Sequence, residues 1–499
     1  MSTPDKPILT EDLIEGSIEI TPEYSDHYLR KLRWKIDLWL LPLMWFCYGT
    51  QQADKTSLSV QAVFGIREDT HLVGDQYNWL STIFYISYMA CEFPGNWLIQ
   101  KFHTGRFLAI VIVSWGVVVL CIAFAENWAH LMVLRTLQGA LECTISPTFM
   151  LITGAWYTSQ EHTLRSLIWG TSNAGMNIIA GLSMYGIGLH AQKNPDGLAA
   201  WKGISFFLGA LTITCGILVW FVIGTPREVR WLSEEEKRAA IYRVVANQTG
   251  SDREKRSEFK WDQVWSTFRD PQTYFFFFVT IVNALPNGAN TTFSKLIWQS
   301  FEFSSLETLL KGSTPYYAIG ICWFLIVGFI TFKIPNLRFF LMMFSLIPAF
   351  TGMIALSQLP TDSMQWTRWG MYIMQVFGTL PGLMIWTFLP SNVAGRTKKT
   401  VVSTVLFVAY CVGNAVGAQI MAPSDAPKYV KGITTCGVLY FVEFCSMGAW
   451  RFYYVWENKR RAKVIAAQGI SEEESERLGK LNAEADMTDR ENIHFKYKY

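Results

Sequence analysis

The chain has 499 residues, of which 51% are hydrophobic and only 17% charged, with a net charge of +3. Soluble domains carry about a quarter charged residues, while disordered, collagen-like and coiled-coil chains need a polar or strictly repeating composition. Those classes are excluded, the positive charge is too weak for a nucleic-acid binder, and the chain reads as an all-α integral membrane protein.

Residues 1–35 are polar and lack the apolar stretch of a cleavable signal peptide, so they are expected to form a cytoplasmic N-terminal tail. About 20 apolar residues cross a bilayer as a helix. Such runs occur at 36–58, 77–99, 107–126, 130–156, 164–189 and 201–224, which predicts an N-terminal six-helix half over 36–224. A polar cytoplasmic loop follows over 225–271, where Ser233 and Glu236 have the spacing of a helix N-cap box. Runs at 272–293, 313–332, 337–357, 366–390, 400–422 and 433–456 predict a C-terminal six-helix half over 272–457. In the cytoplasmic tail, 458–499, Ser471-Glu472-Glu473-Glu474 repeats the cap pattern, so one short helix followed by frayed chain is expected.

Most of the 43 Lys and Arg fall on the face shared by both termini and the central loop. The short loops agree, through Lys101, Arg106, Arg165, Lys333, Arg338, Arg396, Lys398 and Lys399. Both termini are therefore expected in the cytoplasm. The nine cysteines lie in apolar runs without C-x-x-C spacing, which predicts buried free thiols and neither a metal nor a redox site. The histidines sit in tails, loops or span ends, and no Walker A, HExxH or GxSxG pattern occurs. No catalytic site, metal or cofactor is expected. Asn290-Thr291-Thr292 is a glycosylation sequon near the outer end of the seventh span, and Asn247-Gln248-Thr249 is another on the cytoplasmic side.

A charge inside the bilayer costs several kcal/mol and asks for a partner or a task. Asp54 and Lys55 in the first span, Glu92 in the second, and Arg135 and Glu142 in the fourth are such charges, all in the first six spans. Two readings stand. In one, these groups line a water-filled cavity: Lys55 and Arg135 bind a carboxylate, and Asp54 or Glu142 exchanges a proton. In the other, pairs such as Asp54–Arg135 or Lys55–Glu142 lock the bundle. Glu92, followed by Pro94, reads as structural.

In the seventh span Asn283, Asn287 and Asn290 share one helix face, beside Pro286 and Gly288, which are expected to interrupt the helix. This face reads either as a substrate surface and gate or as amide glue between helices. Asn173 and Asn177, with Gly170, Gly175 and Gly181, and Asn414 between Gly413 and Gly417, read as close-packing or gating positions.

Several stretches together resemble the major facilitator superfamily, and within it the fungal anion:cation symporter family of allantoate permease type. They are Asp54-Lys55-Thr56-Ser57-Leu58, Gly65, Asp75-Gln76-Tyr77, Phe84-Tyr85, Tyr88 and Glu92-Phe93-Pro94 in the first two spans. Arg135-Thr136-Leu137-Gln138-Gly139, Glu142, Pro147, Trp156-Tyr157, Glu161 and Arg165 follow. In the second half the matching stretches are Asn392 to Lys399, Gly413-Asn414 and Asp425 to Tyr429. One departure is Gln100, where the superfamily's loop between helices two and three usually carries an acid. The resemblance implies a major facilitator fold of twelve transmembrane helices in two six-helix halves, rocking about a midplane site. It also implies proton-coupled uptake of a small organic anion across the plasma membrane by a monomer. The substrates of that family include allantoate, ureidosuccinate, carboxylate vitamins, and amino acids or peptides. Proton-antiport efflux of a fungal metabolite, or a non-transporting nutrient sensor, are the alternatives.

Overall fold

The computed structural model describes residues 24–157, 161, 165, 171–247, 260–334, 336–360 and 364–499. Most of the N-terminal tail, Gly170 and the end of the Asn247 sequon fall outside them, as does the side chain of Gln100. Among the described residues every regular element is helical. The N-terminal half comprises span one, Asp26–Val63, then Gln76–Lys101 and Thr104–Cys121. Span four is split into Trp128–Glu142 and Ile145–Trp156, span five is described over Ser172–Lys193, and span six is Ala200–Val222. The C-terminal half comprises Pro271–Gln299, Thr314–Lys333, Arg338–Gln358, a broken tenth span running from Gln365 to Asn392, Arg396–Gly417 and Val430–Ala467. The fold is the twelve-span arrangement of two six-helix halves.

Among the described residues, seven spans are long and apolar enough to cross a membrane by length and composition: three, six and eight to twelve. The remaining five, spans one, two, four, five and seven, carry the embedded charges and amides singled out above, apart from Asn414 of span eleven. Their polarity is a cost in the bilayer that only protein neighbours or a cavity can offset.

Prolines explain where helices break. Pro147 lacks the N–H that would bond the Cys143 carbonyl, and span four ends its first helix at Glu142. Pro315 likewise frees the carbonyl of Lys311, which lies in the wide turn Thr308–Ser313 before span eight. Trp369 Nε1 of span ten satisfies it at 2.7 Å. Pro286 and Gly288, by contrast, do not interrupt span seven, which stays helical to Gln299. Gly288 instead lets the backbone of Asn414 approach, just as Gly413 and Gly417 leave room for Ala284 and the Leu285 carbonyl. The close-packing expectation for Gly413 and Gly417 is met there.

The termini-side face is organised separately in each half. In the first, Arg165 pairs with Asp37 at 2.8 Å and Glu161 lies between Arg33 (3.2 Å) and Arg243 (3.6 Å). The loop helix Glu234–Asn247 is capped as expected by Ser233 and Glu236, and Lys35 holds Glu236 at 2.7 Å.

In the second half the C-terminal tail departs from expectation. After the helix Glu472–Glu484 it does not fray but folds back onto the bundle. Asp489 and Asp270 flank the buried Lys398 at 2.9 and 2.5 Å, and Tyr497 Oη donates to Asp489 at 2.8 Å. Arg461 NH1 donates to the carbonyls of Asp489, Asn492 and Phe495. Gly395, at φ +89°, turns the chain so that the Ala394 and Arg396 amides reach Asp489 and Asp486. All nine cysteines are free, but Cys322 and Cys445 are exposed where burial was expected, because they face outward on spans eight and twelve.

Candidate functional site

Tyr48, Gln51 and Lys55 recur at helical spacing on span one and form one stripe toward the space between the halves. Lys55 Nζ lies 2.8 Å from Glu142 Oε1, the last residue before the break in span four. It also stands over the rings of Tyr88 (5.1 Å) and Phe84 (5.8 Å) of span two. Tyr88 stacks on Phe407 of span eleven at 5.6 Å, and Tyr85 meets Tyr410 edge-on at 6.3 Å. Rings from both halves therefore surround one ion pair. Glu142 is fully buried, while the Lys55 side chain keeps 11% of its surface exposed.

Asp54 points into the first half instead. Trp115 Nε1 of span three donates to Oδ2 at 3.0 Å and Gln138 Nε2 donates to the same oxygen, leaving Oδ1 without a hydrogen-bond partner. Gln138 Oε1 in turn accepts from Arg135 at 2.9 Å. Asp54 and Arg135 are thus joined through an amide, and Arg135 is 4% exposed. Of the two ion pairs considered from sequence, Lys55–Glu142 forms directly and Asp54–Arg135 is bridged. Asn177 accepts from Thr56 of span one at 2.7 Å and donates to the Asn173 carbonyl. Glu92 accepts from Asn96, one turn along its own helix.

The second half answers this charged cluster with amides. Asn283 Nδ2 donates to the Gly378 carbonyl of span ten at 3.1 Å and to Glu443 of span twelve at 3.0 Å. Asn287 donates to Asn414 Oδ1 at 2.8 Å. Asn290 Oδ1 accepts from Tyr372 (3.0 Å) and Gln375 (3.2 Å), and its amide reaches Tyr316. The Asn290 side chain of the sequon is thus bonded to spans eight and ten.

Hydrogen bonds that cross between the halves gather on the side away from the termini. Tyr77 Oη donates to the Thr292 carbonyl at 2.7 Å, Asn78 to that of Met421 at 3.0 Å and Thr82 to that of Ala415 at 2.9 Å. Gln419 bonds Thr82, Thr292 bonds Ser81, Lys295 N–H bonds Ser59 and Ser305 bonds the Val63 carbonyl. Among the described residues these side-chain bonds seal the far side beyond Lys55.

Residues 44–418 match the Major Facilitator Superfamily. The chain belongs to the major facilitator superfamily. An uncharacterised transporter of Schizosaccharomyces pombe is 31% identical over 95% of this chain and 88% of its own. The allantoate permease of Saccharomyces cerevisiae is 32% identical over 96% of this chain and 88% of its own. The xylose transporter XylE of E. coli, solved in an inward open conformation, shares the fold with a TM-score of 0.63 at 11% identity, covering 82% of this chain and 95% of that one. The chain is accordingly a multi-pass membrane transporter of this superfamily, with a small-molecule substrate.

Sequence reasoning placed every embedded charge in the first half of this facilitator and missed Glu443, fully buried in span twelve, and Lys295, 4% exposed in span seven. Arg368 of span ten, buried against the Phe301 ring and the Ser300 carbonyl, was missed too. For Glu443 the signal was present: an acid more than a dozen residues inside an apolar helix at either end.

Proposed function

We propose that this facilitator imports a small organic anion together with protons across the plasma membrane, acting as a monomer with both termini in the cytoplasm. The observation that carries the reading is the Lys55–Glu142 pair, part-exposed and ringed by aromatic side chains of both halves. A substrate carboxylate takes the place of Glu142 on Lys55, and the displaced Glu142 takes a proton, so the site stays close to neutral throughout. Arg135, held beside Asp54 through Gln138, supplies a second positive charge behind the first, and Asp54 is the alternative proton carrier. Asn283, Asn287 and Asn290 form the opposing wall, with Asn414 tying Asn287 and with Asn173, Asn177 and Glu92 supporting the first half. The seal at Tyr77, Asn78, Thr82 and Gln419 then corresponds to the outer gate closed, with the site facing the cytoplasm. The allantoate permease relative makes ureide carboxylates the first substrates to try.

The test is uptake of labelled allantoate, a carboxylate vitamin and a small peptide at two external pH values, in cells lacking their own permeases. Faster uptake of one of them at the more acidic pH, lost in Lys55→Ala, is the expected result. Uptake of none, or uptake indifferent to both changes, overturns the proposal.

A further inference from the structure

Among the described residues, the buried acids have a cation at hand, directly or through one intervening amide, with one exception. Glu142 has Lys55, Asp270 and Asp489 share Lys398, Glu457 has Arg461, and Asp54 receives two donors with Arg135 beyond Gln138. Glu443 lies near the middle of span twelve at 0% exposure, and its hydrogen-bond partner is a single neutral amide, Asn283 Nδ2, 3.0 Å from Oε1 and 3.3 Å from Oε2. That amide is shared with the Gly378 carbonyl, and Gly382 of span ten lies against its other end.

The groups that face this position are now countable. Span seven offers Asn283 and span nine offers no ionisable side chain beyond Arg338 at its far start. On its own helix Glu443 has Tyr440 and Cys436, with Tyr372 of span ten and Tyr316 of span eight beyond Tyr440. Phenols and a thiol ionise well above neutral pH and bring no positive charge. An ionised carboxylate with one shared amide donor and no cation is far costlier in such a site than a neutral acid, so the group takes a proton instead.

We propose that Glu443 is a proton-binding site of the second half, neutral in the conformation described here, whose hold on the proton is set by Asn283: this amide is the donor that stabilises the anion, so its withdrawal tightens the hold and its closer approach loosens it. The exchange is carboxylate plus hydronium giving carboxylic acid plus water, and the reverse on release. Asn283 is only part-buried, touches spans ten and twelve, and stands one turn from Asn287, which bonds Asn414 of span eleven. It is therefore the contact through which movement of span seven reaches Glu443. This site is separate from Glu142 and Asp54, and only its use in coupling rests on the transport reading.

The test is infrared spectroscopy of the purified full-length protein in lipid vesicles, with no substrate present. The wild type should show a protonated-carboxyl carbonyl band at neutral pH that shifts in D2O, and E443Q should lack one carboxyl's worth of that band while melting at a similar temperature. If E443Q does not fold, Asn283→Leu serves, and should raise the pH at which the band disappears by one unit or more. A band unchanged in E443Q, or unmoved in Asn283→Leu, overturns the proposal. Because no transport is measured, failure here is distinct from failure of the uptake assay above.

Discussion

Two lysines of this protein are drawn into the protein against carboxylates, and they are built in opposite ways. Lys398, on the termini-side face, is fully buried between Asp270 and Asp489, and every neighbour is tied again: Asp489 also accepts from Tyr497, the Ala394 amide and Gln272, and Asp270 from the Gln272 amide. Lys55, at the junction of the halves, has one acid, two ring faces and residual contact with solvent. The first cluster has no cheap alternative to its present partners. On the proposed reading, the second has a partner that a substrate carboxylate replaces. The same pair of residue types is a clamp in one setting and an exchangeable contact in the other, and the number of surrounding hydrogen bonds separates the two.

The contrast can be broken most decisively at Lys398. Lys398→Ala leaves two buried acids facing each other without a cation, a loss on the order of 3–5 kcal/mol. The melting temperature in detergent should fall sharply and protease should gain access to the segment after Asp486. An unchanged melting temperature would mean that the tail is not clamped. Lys55→Ala should do the reverse. Loss of a charge-assisted contact of about 1.5–3 kcal/mol predicts uptake reduced on the order of 10- to 100-fold, with little change in melting. A stability loss as large as that of Lys398→Ala would turn Lys55 into a second clamp.

Smaller changes sharpen the same division. Tyr497→Phe removes one donor to Asp489 and should cost about 1 kcal/mol without altering uptake. The smallest effect is expected at the exposed pair Lys35–Glu236. Burial works to raise the Glu236 carboxyl, but hydrogen bonds from Lys35 and Ser233 outweigh it and hold it below the usual carboxylate range. A depressed acid stabilises the fold above its unfolded value of about 4.3, and that contribution disappears as pH falls through the lower folded value. For so exposed a contact it amounts to about 0.5 kcal/mol. Acid titration of the melting temperature should therefore be slightly flatter in Glu236→Gln.

The span count was legible because twelve apolar runs of bilayer length are a local property of the chain. The Ser233–Glu236 cap was legible for the same reason. Lys55 and Glu142 stood out as charges in apolar runs, and their pairing was one of the alternatives the sequence left open, since the 86 residues of intervening chain decide which faces meet. The bridging role of Gln138 was hidden because a glutamine near a helix centre carries no alarm. The folded tail was missed because it carries no long apolar run, and its order comes from Lys398, Asn392 and Arg461 far away in the chain, with Tyr497 packed into the core. Pro286 misled in the other direction, since one missing N–H did not end a helix braced along span eleven.

The docked tail has a practical consequence. Among the described residues, the helix Glu472–Glu484 is joined through residues 486–498 to the second half and to the end of the central loop, whereas the loop helix Glu234–Asn247 is fastened to span one by Lys35. Each is a handle on a different half of the bundle, and both project on the same face. Spectroscopic labels placed on the outer surfaces of these two helices would register the opening and closing of that face as a change in separation, without altering a single residue within the bilayer.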